Sequence, residues 1–191
     1  MTSTAYFPTF IYETNISVDN ASLLSKAIEL KNSDSRLTTS WFCDTFNTIG
    51  TYDITQDANF SDFVNVCMDH VKLFSHEYGI HNPIIKHKEG WINVATTNQY
   101  QEFHIHPNNH FSLAYYVSVP DNSGDIIFRS AESATDMFML PFGAETFATM
   151  KTVKVKPVVG KLVIFRSNLL HMVEKNRSED SRVSISFNVA F

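Results

Sequence analysis

Residues 100–119 read Tyr-Gln-Glu-Phe-His-Ile-His-Pro-Asn-Asn-His-Phe-Ser-Leu-Ala-Tyr-Tyr-Val-Ser-Val, two strand-forming runs joined at Pro107-Asn108-Asn109. Aromatic and β-branched residues favour extended backbone, and Pro-Asn-Asn is turn chemistry. In extended chain successive side chains point to opposite faces, so His104 and His106 share one face. Both imidazoles can then reach a single cation.

The same texture continues in both directions from this pair. Short apolar runs are predicted as strands near 82–87, 91–96, 100–106, 111–119, 125–130, 135–140, 151–156, 161–166, 170–174 and 182–191. Turn signals fall at Pro120 to Gly124, Pro157 to Gly160 and Asn176 to Ser181. Residues 6–12 read as an opening strand interrupted by Pro8. Two helices follow, one over 19–31 capped by Asp19 or Asn20, the other starting at a capping Ser61. In the second, Phe63, Val64, Cys67, Val71, Phe74 and Tyr78 keep the 3.6-residue period until Gly79. Residues 33–58, with Trp41, Phe42 and Phe46, read as a partly packed loop. The pattern predicts a mainly β fold with flanking α: a double-stranded β-helix, or jelly roll, with two N-terminal helices packed on one sheet. Residues 1–191 are expected to form one domain, with 1–80 as helical support and 81–191 as the core.

At 191 residues the chain can bury a core without a metal or disulfide. Its 16 Phe and 7 Tyr favour β-rich packing or an aromatic-lined pocket. The net charge of −5 gives no general attraction to nucleic acid, so a nucleic-acid partner is not expected. Cys43 and Cys67 are the only cysteines and have no zinc-site spacing. The opening MTSTAYFPTFIYE lacks a secretory pattern, and no window approaches a membrane span. The expectation is a cytoplasmic protein with no membrane partner, its state as monomer or homodimer left open.

His171 lies 65 residues beyond His106, after the run Gly160-Lys161-Leu162-Val163-Ile164-Phe165, and is expected to close the site from the opposite sheet. Three ligands leave open positions on a metal for substrate, cosubstrate or oxygen. A His-x-His pair also arises by chance. His70, His76, His81 and His87 have no such pattern and read as surface or structural, and His110 as a loop residue. Further on, Arg182, Ser184, Ser186 and Asn188 alternate with Val183, Ile185, Phe187 and Val189. This describes either an outer strand with a solvated face or a polar face turned into a pocket. In a pocket, Arg182 and Ser184 could grip a carboxylate, a bidentate guanidinium pair plus a hydroxyl.

In order and spacing these motifs resemble the iron(II)- and 2-oxoglutarate-dependent oxygenases, prolyl-hydroxylase-like branch, of the small type common in bacteria and phages. The resemblance covers about residues 91–191, with YFPTFIY as weaker support. It rests on His104-Ile105-His106, the strand Ser112 to Val117, the Gly160-led strand, His171 and Arg182-x-Ser184. It implies Fe(2+) held by His104, His106 and His171. It implies 2-oxoglutarate as cosubstrate, its far carboxylate on Arg182, Ser184 and Tyr116. Ser112 shares the face of Tyr116, and Asn93 resembles a cosubstrate-contacting residue of some branches. The chain departs from the family at His106, where a carboxylate is usual, so the metal would keep its full 2+ charge. Glu102 lies on the face of His104, which keeps a Glu102/His104/His171 set open. The family places its pair at the strand end, which ranks His106 first.

The implied activity is a dioxygenase hydroxylating a peptidyl, amino-acid or small-metabolite substrate. Two rivals stand beside it: a catalytically inactive jelly-roll binding or virion-associated module, and a three-histidine cupin-type dioxygenase. Cupin spacing calls for a Glu soon after the His pair, yet no Glu lies between 103 and 131. Specificity is expected from the helices and from the loops Trp41–Phe46, Pro107–His110 and Ser130–Thr146, with 131–150 as a flap or a packed hairpin.

Overall fold

The alternating residues near the C-terminus form a central strand of a six-stranded sheet. In the computed structural model, which describes residues 4, 6–33, 42–130, 143–146 and 149–191, the strands are β1 (Ile11–Asn15), β2 (Phe46–Asn47), β3 (His87–Ala95), β4 (Gln101–His104), β5 (Phe111–Ser118), β6 (Ile126–Arg129), β7 (Thr152–Val155), β8 (Lys161–Arg166), β9 (His171–Val173) and β10 (Arg182–Ala190). The larger sheet runs β1-β8-β5-β10-β3-β2 and the smaller β4-β9-β6-β7. Every pairing between them is antiparallel. The helices are α1 (Asn20–Ser33) and α2 (Ser61–Ser75), and neither is long and apolar enough to cross a membrane. This is the jelly-roll architecture read from the sequence.

β10 divides the molecule by the chemistry of its two faces. Val183, Ile185, Phe187 and Val189 are buried in one core with Phe63, Val64, Cys67, Val71 and Phe74 of α2. The Phe63 ring stands 4.9 Å from Tyr115 and 5.7 Å from Phe187. Burying a side chain such as Phe187 contributes about 1.5–3 kcal/mol, so the amphipathic α2 is held mainly by this face. α1 adds Leu23 and Ala27 to the same core, and Tyr115 donates to Asn20 Oδ1 at 2.7 Å. Both helices therefore cover the larger sheet. A second core of Tyr116, Ile126, Phe128, Val155, Val163, Phe165 and Leu169 fills the space between the sheets.

Several boundaries differ from the sequence reading. The first strand begins at Ile11 rather than residue 6. Phe7 has a positive φ and Pro8 lacks a donor, so neither suits a ladder. The expected strand at 82–87 is absent up to His87, because Asn82 adopts φ 55 immediately before Pro83. Ser61 is the first helical residue and not the cap; the capping carboxylate is Asp57, which accepts from the Asn59 N–H at the preceding 3-10 turn. Asp19 does cap α1, accepting from the Ser22 N–H at 3.0 Å, and Gly79 ends the second helical segment in the left-handed region. The N-terminal part also supplies β1 and β2 to the larger sheet, beyond helical support. Phe46 is buried and Phe42 exposed. Trp41, the expected strand at 135–140 and most of the expected flap lie outside the described residues.

Candidate metal centre

Two neighbouring strands of the smaller sheet bring the first two imidazoles together. His104 ends β4 and stands opposite His171, the first residue of β9, across an antiparallel ladder. The expectation that His171 reaches in from the opposite sheet is thus corrected, because the two strands pair directly. Their ring centroids are 4.2 Å apart. His106 lies beyond the end of β4, where its N–H donates to the Ser167 carbonyl at 2.9 Å instead of continuing a ladder. That bond turns its ring to within 5.0 Å of His104 and 5.2 Å of His171. The ligand atoms of these three histidines lie within 4.8 Å of one another, the one such group among the described residues.

Backbone carbonyls fix two of the rings. His104 Nδ1 donates to Glu102 O at 2.7 Å and His171 Nδ1 to Leu169 O at 2.8 Å. A carbonyl only accepts, so each Nδ1 carries the proton and the lone pair sits on Nε2. Metal-bound histidines are oriented this way, by a partner on the nitrogen that does not ligate. Aromatic walls keep the group dry: Trp91 lies 5.7 Å from His106, and Phe165 and Phe128 lie 4.6 and 6.0 Å from His171. Burial lowers the pKa of His106 to about 4, helped by the nearby His104. Burial also lowers His104, against a backbone hydrogen bond that raises it, and carries His171 well below its ordinary value. All three are neutral near pH 7, the state in which an imidazole binds a metal. The donor set suits iron among the divalent metals that imidazole accepts.

These shifts set the acid sensitivity of the metal-free protein. Above about pH 6.5 the histidines are neutral in both the folded and unfolded chains, and contribute no pH dependence. Below that value the unfolded chain takes up protons that the folded site refuses. Stability is therefore lost as pH falls, by about 1.4 kcal/mol per pH unit for each refused proton. For His106 the loss ends near pH 4. Melting curves of metal-free protein from pH 7 to 4 should show this decline, and a H106Q variant should show a shallower one.

Glu102 does not join the group. Its Oε1 accepts the Phe42 N–H at 3.1 Å, and its Oε2 is buried with no hydrogen-bond partner among the described residues. The geometry gathers His106 with His104 and His171 and leaves Glu102 aside.

The cavity between the sheets is lined by the three histidines together with Tyr116, Arg182 and Ser184. Arg182 is only 4% exposed, and no carboxylate stands within ion-pair distance among the described residues. Its Nη1 donates to the carbonyls of Ser123, Gly124 (3.3 Å) and Glu174 (3.3 Å). Burial pulls its pKa down and pushes that of Tyr116 up, so the Tyr116 phenol stays protonated. Of the other expected residues, Asn93 stands behind the lining, donating to Ser186 Oγ at 3.0 Å and accepting from Gln101 Nε2 at 3.2 Å. Ser112 does not line the cavity, and its hydroxyl is engaged by Ser167 and Asn188.

Trp91, Gln101 and Ser186 also line the cavity. Ser186 lies on the polar face of β10 with Arg182 and Ser184, as one reading of that alternation has it, whereas nothing in the sequence marks Trp91. Gln101 was hidden, because simple alternation puts it on the face opposite His104. An irregularity in the β4–β9 ladder between Gln101 and His104 brings both to the cavity.

The carbonyl cradle of Arg182 needs a glycine at its centre. Gly124 has φ +83, and a Cβ there would meet Glu174 O at 2.6 Å and Lys175 O at 2.8 Å. G124A should lower the melting temperature and, through the displaced cradle, weaken any ligand gripped by Arg182. Thermal unfolding with equilibrium binding of 2-oxoglutarate measures both.

A family model described as "Putative 2OG-Fe(II) oxygenase" matches residues 89–188. The structure resembles a prolyl-4-hydroxylase from Pseudomonas putida, with TM-score 0.59 and 14% identity over 95% of this chain and 92% of the other. It also resembles a Trichoplax adhaerens prolyl hydroxylase bound to a hypoxia-inducible-factor peptide fragment, with TM-score 0.64 and 16% identity over 94% and 82%. A viral collagen prolyl hydroxylase from Paramecium Bursaria Chlorella virus-1, in complex with 2OG, gives TM-score 0.60 and 14% identity over 94% of each chain. No curated protein matches the sequence. At these identities the structural likenesses speak for the fold.

Proposed function

The chain belongs to the 2OG-Fe(II) oxygenase family, and on that premise we propose that it hydroxylates its substrate beside His104, His106 and His171, with 2-oxoglutarate bound between them and Arg182. The carrying observation is a buried guanidinium with no carboxylate partner among the described residues, in the same cavity as three neutral imidazoles, His171 buried and His104 and His106 partly so. A buried cation is costly unless paired, and 2-oxoglutarate brings the missing anion. The Arg182 cradle includes Glu174 O, three residues along from His171.

In this reading His104, His106 and His171 hold iron(II). When bound, the iron supplies the redox chemistry that couples oxygen reduction to decarboxylation of 2-oxoglutarate and oxidation of the substrate. Arg182, Ser184 and the Tyr116 phenol hold the far carboxylate. Trp91, Phe128 and Phe165 exclude water from the imidazoles. Glu102 O and Leu169 O keep two rings in the tautomer that presents Nε2.

The likeness to two prolyl hydroxylase folds and a prolyl-4-hydroxylase makes a prolyl side chain in a polypeptide the first substrate to try, ahead of free amino acids and small metabolites. Protein purified anaerobically and loaded with iron(II) should convert 2-oxoglutarate to succinate, faster with a true substrate and reversibly blocked by a chelator. Absence of stoichiometric iron and of succinate would favour a metal-free binding module instead.

A further inference from the structure

Ser112 sits in a buried chain of hydrogen bonds whose direction can be worked out from one end. Glu89 Oε1 accepts from Asn188 Nδ2 at 2.8 Å. A carboxylate at neutral pH only accepts, so the Asn188 amide must present its nitrogen there and its oxygen inward. Ser112 Oγ therefore donates to Asn188 Oδ1, at 2.8 Å. Its one proton is then used, so across the 2.9 Å contact Ser167 must donate to Ser112. Ser112, Ser167 and Asn188 are all buried, and both hydroxyls and the Asn188 amide nitrogen each donate within the chain.

The far end of this chain is the turn after β8, and that turn touches two of the three histidines. The Ser167 carbonyl accepts the His106 N–H at 2.9 Å, and the Ser167 N–H donates to His110 O at 3.1 Å. The turn closes with the Leu169 N–H on Arg166 O at 2.9 Å. Leu169 O then accepts His171 Nδ1 at 2.8 Å. One turn thus holds His106 by its backbone and His171 by its ring. His106 has particular need of this, because it stands beyond the last ladder pair of β4.

We propose that Ser112 is a positioning residue for the metal centre, acting through Ser167 and the 166–169 turn to set where His106 and His171 stand. The proposal rests on the reading of the three histidines as metal ligands. It gives Ser112 a role in ligand geometry in place of a contact with the cosubstrate. Anchoring of this kind rigidifies a ligand set because each buried donor and acceptor is satisfied only in one arrangement.

The test titrates cobalt(II) into wild type, S112A, the conservative S112T, and I185V as a control on the opposite face of β10. The visible cobalt spectrum reports both affinity and ligand geometry. S112A should bind cobalt about 10- to 100-fold more weakly with an altered spectrum, S112T should recover both, and I185V should change neither. With metal saturating, 2-oxoglutarate affinity should change little in S112A. A lower melting temperature at unchanged cobalt affinity and spectrum would reduce the chain to a structural role and overturn the proposal. Normal cobalt binding with weakened 2-oxoglutarate would overturn it in favour of a cosubstrate contact. Should S112A not fold, N188A cuts the same chain at its acceptor and is read by the same criteria. If wild type binds no cobalt, the reading of the histidines fails first, and that outcome is distinct from all the others.

Discussion

H171A is expected to abolish stoichiometric iron binding and to bring 2-oxoglutarate turnover down to background. His171 is the most enclosed of the three imidazoles, 3% exposed and packed between Phe165 and Phe128. Loss of an outer partner of a metal ligand typically costs 10- to 100-fold in affinity. Loss of a ligand itself should exceed about 100-fold on that scale. The fold should survive, because the hydrogen bond given up to Leu169 O contributes only about 0.5–1.5 kcal/mol. The variant should even become less acid-sensitive in its metal-free form. It no longer carries a buried imidazole that refuses protons the unfolded chain accepts. Iron content after anaerobic loading, set beside melting curves at pH 7 and 5, separates loss of the ligand from loss of the fold.

R182L should weaken 2-oxoglutarate binding by about 30-fold to several thousand-fold, the range for removing one member of a buried charge pair. Iron binding should be nearly unchanged. The sign of the stability effect is the informative part. Among the described residues Arg182 is buried with carbonyl partners only, so an apolar side chain of similar size should leave the melting temperature equal or higher. The stabilising effect of added 2-oxoglutarate should then disappear. R182K should not rescue binding, since a lysine cannot reproduce a planar, forked donor set. Isothermal titration with 2-oxoglutarate and melting curves with and without it test both halves.

How much of this could be read in the sequence depended on how local the cause was. The alternation in residues 182–189 needs only the pleat of one strand, and the structure keeps it, apolar side to the helices and polar side to the cavity. The period of α2 holds for the same reason through Phe74, and a 3-10 turn over His76–Tyr78 then leads to Gly79. His104, His106 and His171 could be named from spacing. Their arrangement could not, because the direct pairing of β4 with β9 is a long-range choice that no window of sequence displays. The irregularity that brings Gln101 to the cavity and the capture of the His106 N–H by Ser167 have the same origin. Ser112 shows the limit most clearly. It lies on the face of Tyr116 as expected, yet its hydroxyl belongs to a network with Ser167 and Asn188, 55 and 76 residues away.

The most direct test is a crystal structure of the protein grown anaerobically with iron(II) and 2-oxoglutarate. One iron coordinated by His104, His106 and His171, with the far carboxylate of 2-oxoglutarate against Arg182, is the predicted result. Iron coordinated by Glu102 in place of His106, or a 2-oxoglutarate whose far carboxylate lies away from Arg182, would contradict it.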